Sequence, residues 1–223
     1  MISDFIKNDA RRAFDVLKGG GIAVIPMDVG YTCAGGSTEA LQKIFETKRR
    51  TASKRNAMVG DMAIANELYD LSQRGWDVIQ VITNDYDIPL GAVGPCKIGH
   101  PLLQVLDKEA IEASTKEGTL VMLLNAGPFH SEICRLSLLE MHPIFGSSAN
   151  ISLTGTKFRV EDIDEEIKNI SDVVIDHGLR KYHFYNQSST LLNVETFEVV
   201  RKGSNYEIIA DICKRRFGRT LVD

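Results

Sequence analysis

Apolar positions recur at helical spacing near the start of the chain, at Phe5, Ala10, Ala13, Phe14 and Leu17, and Gly19, Gly20 and Gly21 follow them. This pattern predicts a first helix closed by a glycine cap. IAVIP at 22–26 is a short β-branched apolar run ended by proline and predicts a buried strand. MDVGYTCAGGS then reads as a loop, and TEALQKIFETK as a second helix with Ser37 or Thr38 as its N-cap.

Further on, AMVGDMAIANELYDLSQ predicts a short strand and a helix, and WDVIQVIT fits another strand or a helix end. TLVMLLN reads as a strand, HSEICRLSLLEM as an amphipathic helix and PIFGSSAN as a strand running into a loop. VEDIDEEIKNI predicts a helix whose early acidic residues suit the positive end of the helix dipole. SDVVIDHG, SSTLLNV and EVVRKG supply three short strands, and NYEIIADICKRRFG a basic closing helix. Strands and helices alternate without a regular βαβ period, and no Pro/Gly/Ser-rich linker divides them. The expectation is an α/β fold in a single domain over residues 1–223, an open twisted mixed sheet with helices packed on it.

Composition changes this picture little. With 223 residues, 43% of them hydrophobic and 25% charged, the chain can bury a sizeable core. Its formal charge of −4 gives no global argument for a nucleic-acid or membrane surface, so any polyanion must be met by a local patch. The sequence holds no transmembrane-length apolar run, and its first residues mix charges with apolar positions, so a cytoplasmic protein without a membrane partner is expected. Cys33, Cys96, Cys134 and Cys213 are widely spaced with no C-x-x-C, which predicts reduced, mostly buried thiols and no protein metal site.

The candidate chemistry lies in a few short stretches. Lys48, Arg49, Arg50, Lys54 and Arg55 form the densest basic segment of an acidic chain. Such a run is commonly a solvated helix end, but in a cleft its natural ligand is phosphate. Ser147, Ser148 and Asn150 in GSSAN offer hydroxyls and backbone N–H groups that could cradle an anion, although the same residues are ordinary turn formers. Ser188-Ser189-Thr190 opens a later strand and Arg201-Lys202-Gly203 ends the next one, the strand ends where α/β sheets commonly bind ligands. Asp28 fits an Asx-turn or a ligand-orienting carboxylate, and Tyr31 a pocket wall or plain packing. The five histidines are scattered and read as structural or solvent-facing, and no P-loop, dinucleotide-binding glycine motif, nucleophile elbow or H-E-x-x-H is present.

In their order along the chain these residues resemble the YrdC-like threonylcarbamoyl-adenylate synthases, a family that includes carbamoyl-adenylate-forming domains. PMDVGYTCAGG keeps Pro26, Asp28 and Tyr31 of the family's P-T-[DE]-T-x-Y-G-L-G, and KRRTASK supplies K-x-R as Lys48 and Arg50, with Lys54 beyond it. S-A-N-x-S stands intact as Ser148 to Ser152, His130 falls at a family His-Pro position, SSTLLN carries Ser189 and Thr190, and Arg201 and Gly203 match R-x-G. The resemblance covers roughly residues 1–60 and 127–205.

It implies a YrdC-like fold that binds ATP, with Mg²⁺ bridging the phosphates, and forms an acyl-adenylate from bicarbonate and an amino acid. Lys48 and Arg50 would be the catalytic cations. Lys54, Ser148, Asn150, Ser189, Thr190 and Arg201 would hold the nucleotide, and Asp28, Tyr31 and Ser147 would meet the second substrate. Carbamoyl transfer through carbamoyl-adenylate, and non-catalytic binding of RNA, tRNA or nucleotide, are the alternatives. The chain departs from the family at Met27, Val29 and Thr32, where two threonines and a glycine are expected, and at Ala126, where an arginine is expected. The W-P-G-P segment is absent, and residues 61–125 show no resemblance. These departures imply a divergent member with an altered substrate.

Overall fold

The computed structural model describes residues 2–49 and 55–221. Helix α1 (Asp4–Lys18) buries Ala10, Ala13, Phe14 and Leu17 as one stripe, with Ser3 capping its first turn and Gly19 its last. Strand β1 (Ile22–Met27) follows as the apolar run predicts. The predicted loop after it is a hairpin instead: Asp28 and Val29 alone make the turn, and β2 (Gly30–Gly35) returns antiparallel, with Met27 opposite Gly30. Gly30 allows this at φ 120°, where a Cβ would lie 2.4 Å from Thr156 Cγ2.

Helix α2 (Thr38–Thr47) is capped by the Ser37 hydroxyl, which accepts the Ala40 N–H. β3 (Ala57–Val59) and α3 (Met62–Leu68) come next, then α4 (Gln73–Gln80), which continues into a π-helical turn at Val81–Asp85, so WDVIQVIT is helical. β4 (Leu90–Pro95) is a strand that the hydrophobic pattern does not reveal, because Gly91, Gly94 and Pro95 punctuate it. Gly91 is a close-approach position, since a Cβ there would stand 2.1 Å from Leu191 Cδ2.

The chain then forms α5 (Lys108–Ser114), β5 (Thr115–Lys116), β6 (Thr119–Leu124), α6 (Pro128–Leu139) and β7 (Phe145–Ser148). VEDIDEEIKNI does not make one helix. It splits at Ile163 and Asp164 into a 3₁₀ turn, Val160–Asp162, and the short α7 (Glu165–Asn169). β8 (Val173–Val174), β9 (Leu191–Asn193), β10 (Val199–Arg201) and α8 (Tyr206–Phe217) complete the order.

The strands join in one mixed ten-stranded sheet in the order β10-β9-β4-β6-β3-β7-β2-β1-β8, with β5 paired to β6. Across its centre, Ala92, Met122 and Leu192 are in register and fully buried, as are Met58 and Phe145 beyond them. A second, smaller core lies at the β1–β2 end, where Val24, Tyr31 and Cys33 pack with Ala40 and Ile44 of α2 and with Ile163 and Ile167. All four cysteines are free thiols, three of them buried. Among the described residues, no helix is long and apolar enough to cross a membrane.

Phe145 ties the strand that leads into GSSAN to this core. Phe145→Ala should lower stability by about 3–5 kcal/mol through the cavity it leaves, read as a lower urea midpoint at unchanged slope.

Candidate functional site

The sheet residues that alternate with the buried ones form the floor of a cavity of about 650 Å³. Gly91 and Val93 of β4, Val121 and Leu123 of β6, Leu191 and Asn193 of β9, and Gly146 and Ser148 of β7 all line it. Period-two alternation thus sends one set of residues to the core and the other to the cleft.

One wall is the turn after β7. Ser147, Ser148, Asn150 and Ser152 line the cavity, and the turn is pinned from several sides. Lys48, the residue that ends α2, is 3% exposed, and its ammonium donates to the carbonyl oxygens of Ser148 and Asn150. The Lys48 carbonyl in turn accepts the Ser152 N–H at 3.2 Å. The Ser148 hydroxyl donates to Asn150 Oδ1, and Asn150 Nδ2 donates to the Ile151 carbonyl at 2.6 Å.

The backbone of this turn is therefore not an open anion cradle, as the sequence suggested. The N–H groups of Ala149, Asn150, Ile151 and Ser152 go to Tyr31 O, Ser148 O, Asp164 Oδ2 and Lys48 O. Burial pushes the Asp164 carboxyl up, but the Ile151 N–H, Lys157 and Thr154 outweigh it and hold it below the usual carboxylate range. What the turn offers a ligand is side chains: hydroxyls that can rotate, and Ser147 Oγ, which is buried without a hydrogen-bond partner.

The facing wall comes from the β9–β10 region. Ser188, Ser189 and Arg201 line the cleft, and Arg201 Nη2 donates to the Ser189 carbonyl at 2.7 Å. Thr190 is fully buried and supports this wall from behind: its Oγ1 accepts the Gly203 N–H at 3.1 Å and donates to the Ser204 carbonyl at 3.0 Å. Gly203 has to be glycine, because a Cβ would sit 2.3 Å from the Ser188 carbonyl.

The structure thus brings Lys48, Ser147, Ser148, Asn150, Ser189 and Arg201 into one cleft, with Thr190 behind it. Arg50 and Lys54 lie outside the described residues. Asp28 and Tyr31 stand apart. Tyr31 points into the smaller core, where burial pushes its phenol to about 12 and its hydroxyl donates to the Gly178 carbonyl at 2.8 Å. Asp28, at the hairpin turn, lines a different hollow with Gly127 and Lys181. Burial raises its carboxyl pKa, opposed by Arg180 at 3.4 Å and Lys181 at 4.0 Å. His130 is fully buried, with its ring Nε2 2.9 Å from the Leu123 carbonyl, a structural role.

Thr32, Ser114 and Lys116, to which the sequence reading assigned no site role, also line the cleft, as do Arg55, Ser188 and Ser152 from the segments it singled out. Arg55 lay in the basic run and Ser188 in the hydroxyl cluster, so composition flagged both. Thr32, Ser114 and Lys116 carry no local signal, because only strand pairing brings them there. Among the described lining residues, four cations face two carboxylates, Glu117 and Glu198, a locally positive site in an acidic chain.

A family model described as telomere recombination, Sua5_yciO_yrdC, matches residues 15–203. The chain belongs to the Sua5/YciO/YrdC family. The match runs straight through residues 61–125, which the sequence resemblance left out. In fold the chain is similar to a hypothetical protein, smu.1377c, from Streptococcus mutans UA159, at 22% identity and TM-score 0.73, covering 94% of this chain and 92% of that one. It is also similar to P. abyssi Sua5 complexed with L-threonine, at 19% identity and TM-score 0.71 over 88% of this chain and 54% of that one. Full-length HypF in its phosphate- and nucleotide-bound form matches at 19% identity and TM-score 0.60, over 86% of this chain and 23% of that one. No curated protein matches the sequence.

Two substitutions check the geometry without any ligand. Lys48→Met strips the donor from two carbonyls and should lower stability by about 1–3 kcal/mol; an unchanged melting temperature would show that the ammonium does not hold the turn. Thr190→Val removes both bonds behind Gly203 and should cost a similar amount, about 1–3 kcal/mol, measured by urea denaturation.

Proposed function

We propose that the cleft binds ATP and forms a carbamoyl-type adenylate, in the manner of threonylcarbamoyl-AMP synthesis. The observation that carries this reading is the convergence of Ser148 and Asn150 with Ser189 and Arg201 around one positive cavity floored by the sheet. Family membership supports it, as do a relative solved with L-threonine and another solved with phosphate and nucleotide.

In this reading the amino nitrogen of the second substrate and bicarbonate give a carbamate and water. A carbamate oxygen then attacks the α-phosphorus as the bond to pyrophosphate breaks. The chain's part is positioning and electrostatics. Ser148, Asn150 and Ser189 donate to phosphate oxygens, Arg201 lends a fixed charge to the nucleotide, and Lys48 keeps the Ser148–Asn150 turn in register. Arg50 and Lys54, close to Lys48 in sequence, are assigned to the phosphates by the family pattern alone.

Mg²⁺, when bound, would neutralise charge on the departing pyrophosphate. In this reading the ion would be carried in on the triphosphate; among the described residues no three His, Cys, Asp or Glu side chains cluster as metal ligands.

Purified protein given ATP, Mg²⁺, bicarbonate and each of the amino acids in turn should release pyrophosphate with at least one of them, L-threonine first. No release with any of them, and none with carbamoyl phosphate, overturns the reading. Asn150→Ala should weaken ATP binding about tenfold, the loss expected for one charge-assisted contact, while the protein stays folded.

A further inference from the structure

A second hollow, of about 640 Å³, opens beside the β1–β2 hairpin and shares no lining residue with the cleft. Ile2 before α1, Ile6 on it, Pro128 at the start of α6 and Tyr182 give the hollow apolar sides. Its polar lining is rich in acceptors. Asp28 and Asp87 supply two carboxylates. Asn125 Nδ2 already donates to Asp87 Oδ1 at 3.0 Å and to the Thr83 carbonyl at 2.9 Å, so this side chain has only its oxygen left to offer.

Asp28 is the informative residue. It is 9% exposed, and its carboxylate fits because residue 127 is glycine: a Cβ there would stand 2.5 Å from Asp28 Oδ1. Neither of its cations comes within the range of a charge-assisted hydrogen bond, about 2.7–2.9 Å. Arg180, 3.4 Å away, is committed to backbone, its Nε donating to the Met27 carbonyl at 3.1 Å and its Nη1 to the His177 carbonyl at 3.0 Å. Lys181 stays at 4.0 Å, with its side chain 54% exposed. Burial outweighs both cations and raises the carboxyl pKa, the mark of a carboxylate short of partners.

Lys181 shows what the hollow suits. Its ammonium lies beside Asp28 and 5.0 Å from the centroid of the Tyr182 ring, and a carboxylate next to an aromatic face is a combination that attracts organic ammonium ions. The contact is loose and open to solvent, so a free ammonium can take the same place at closer range. Apolar sides favour an organic cation over a metal ion, whose ligands would all be polar. With a second carboxylate at Asp87, a diamine gains over a monoamine.

We propose that this hollow binds a small alkyl diamine, one ammonium at Asp28 and Tyr182 and the other at Asp87, with Lys181 as a built-in competitor for the first of these places. None of these residues lines the cleft, so the site is independent of the adenylate-forming reading.

The test is calorimetric titration of the nucleotide-free protein with butane-1,4-diamine, butylamine and butane-1,4-diol, at physiological ionic strength so that diffuse surface attraction is screened. The diamine should bind, butylamine about tenfold or more weakly, and the diol not measurably. Asp28→Asn and Asp87→Asn should each weaken the diamine about tenfold or more, and Lys181→Met should tighten it several-fold. Circular dichroism checks that each variant is folded, and Asp87→Asn, at an exposed position, reads the site even if Asp28→Asn disturbs the hairpin. The site is overturned if the diamine does not bind, if butylamine or the diol binds as tightly, if Asp87→Asn leaves the affinity unchanged, or if Lys181→Met fails to raise it.

Discussion

The cleft depends on one buried ammonium. Lys48 ends α2 with almost no exposure, and taking its charge out of water would be prohibitive without compensation. The compensation is a pair of carbonyls, Ser148 O and Asn150 O, at the end of β7. The contact works in both directions. It satisfies the lysine, and it fixes the turn against the helix, with Ser152 N–H returning to Lys48 O to close the clamp. Because Ala149 N–H is also held by Tyr31 O, the turn is registered to β2 as well. A side chain that reads in sequence as a phosphate ligand lines the cleft and at the same time sets the position of its neighbours Ser148 and Asn150.

The sheet decides what the cleft can contain. Its floor is built from small and apolar residues, with Gly91 and Gly146 where neighbouring strands leave no room for a Cβ. Apart from Asn193 and Thr32 on the sheet, the polar groups described enter mostly at the rims, from the turn after β7, from the β9–β10 wall and from the α5–β5 ribbon. An apolar floor with donors confined to opposing edges suits a ligand that lies across the strands with its charged ends at the rims, and a low-dielectric floor strengthens the field those edges set up.

How much of this was legible in the sequence follows from where each signal resides. The hydroxyl and basic clusters were readable because their members are adjacent in the chain, and their order singled out the turn after β7 and the Ser188–Thr190 segment. Helices α1, α2, α6 and α8 and the strands β1, β6 and β7 were readable from periodicity. β4 was not, because Gly91 answers to Leu191, a hundred residues away in sequence, and Gly94 to Leu71, neighbours invisible to any local pattern. The supporting place of Thr190 was hidden for a related reason. A hydroxyl that props Gly203 and one that meets a phosphate look the same until the opposing backbone is in place.

The hairpin at Asp28 and Val29 revises the argument from the first loop most sharply. Read as a loop, MDVGYT has lost the hydroxyls expected at 27 and 29, and a site deprived of them would be poorer in donors. As a hairpin, the same residues alternate across β1 and β2. Met27 and Val29 are buried in the core, Tyr31 packs on α2's side, and Thr32, at the position where a glycine is expected, lines the cleft opposite Ser148. Thr32 thus puts a hydroxyl into the cleft further along β2, next to the turn that Lys48 holds. In the adenylate-forming reading, a hydroxyl with its γ-methyl at this position would change the shape of the cleft and keep its hydrogen-bonding capacity, a route by which a binding site changes preference without losing its chemistry.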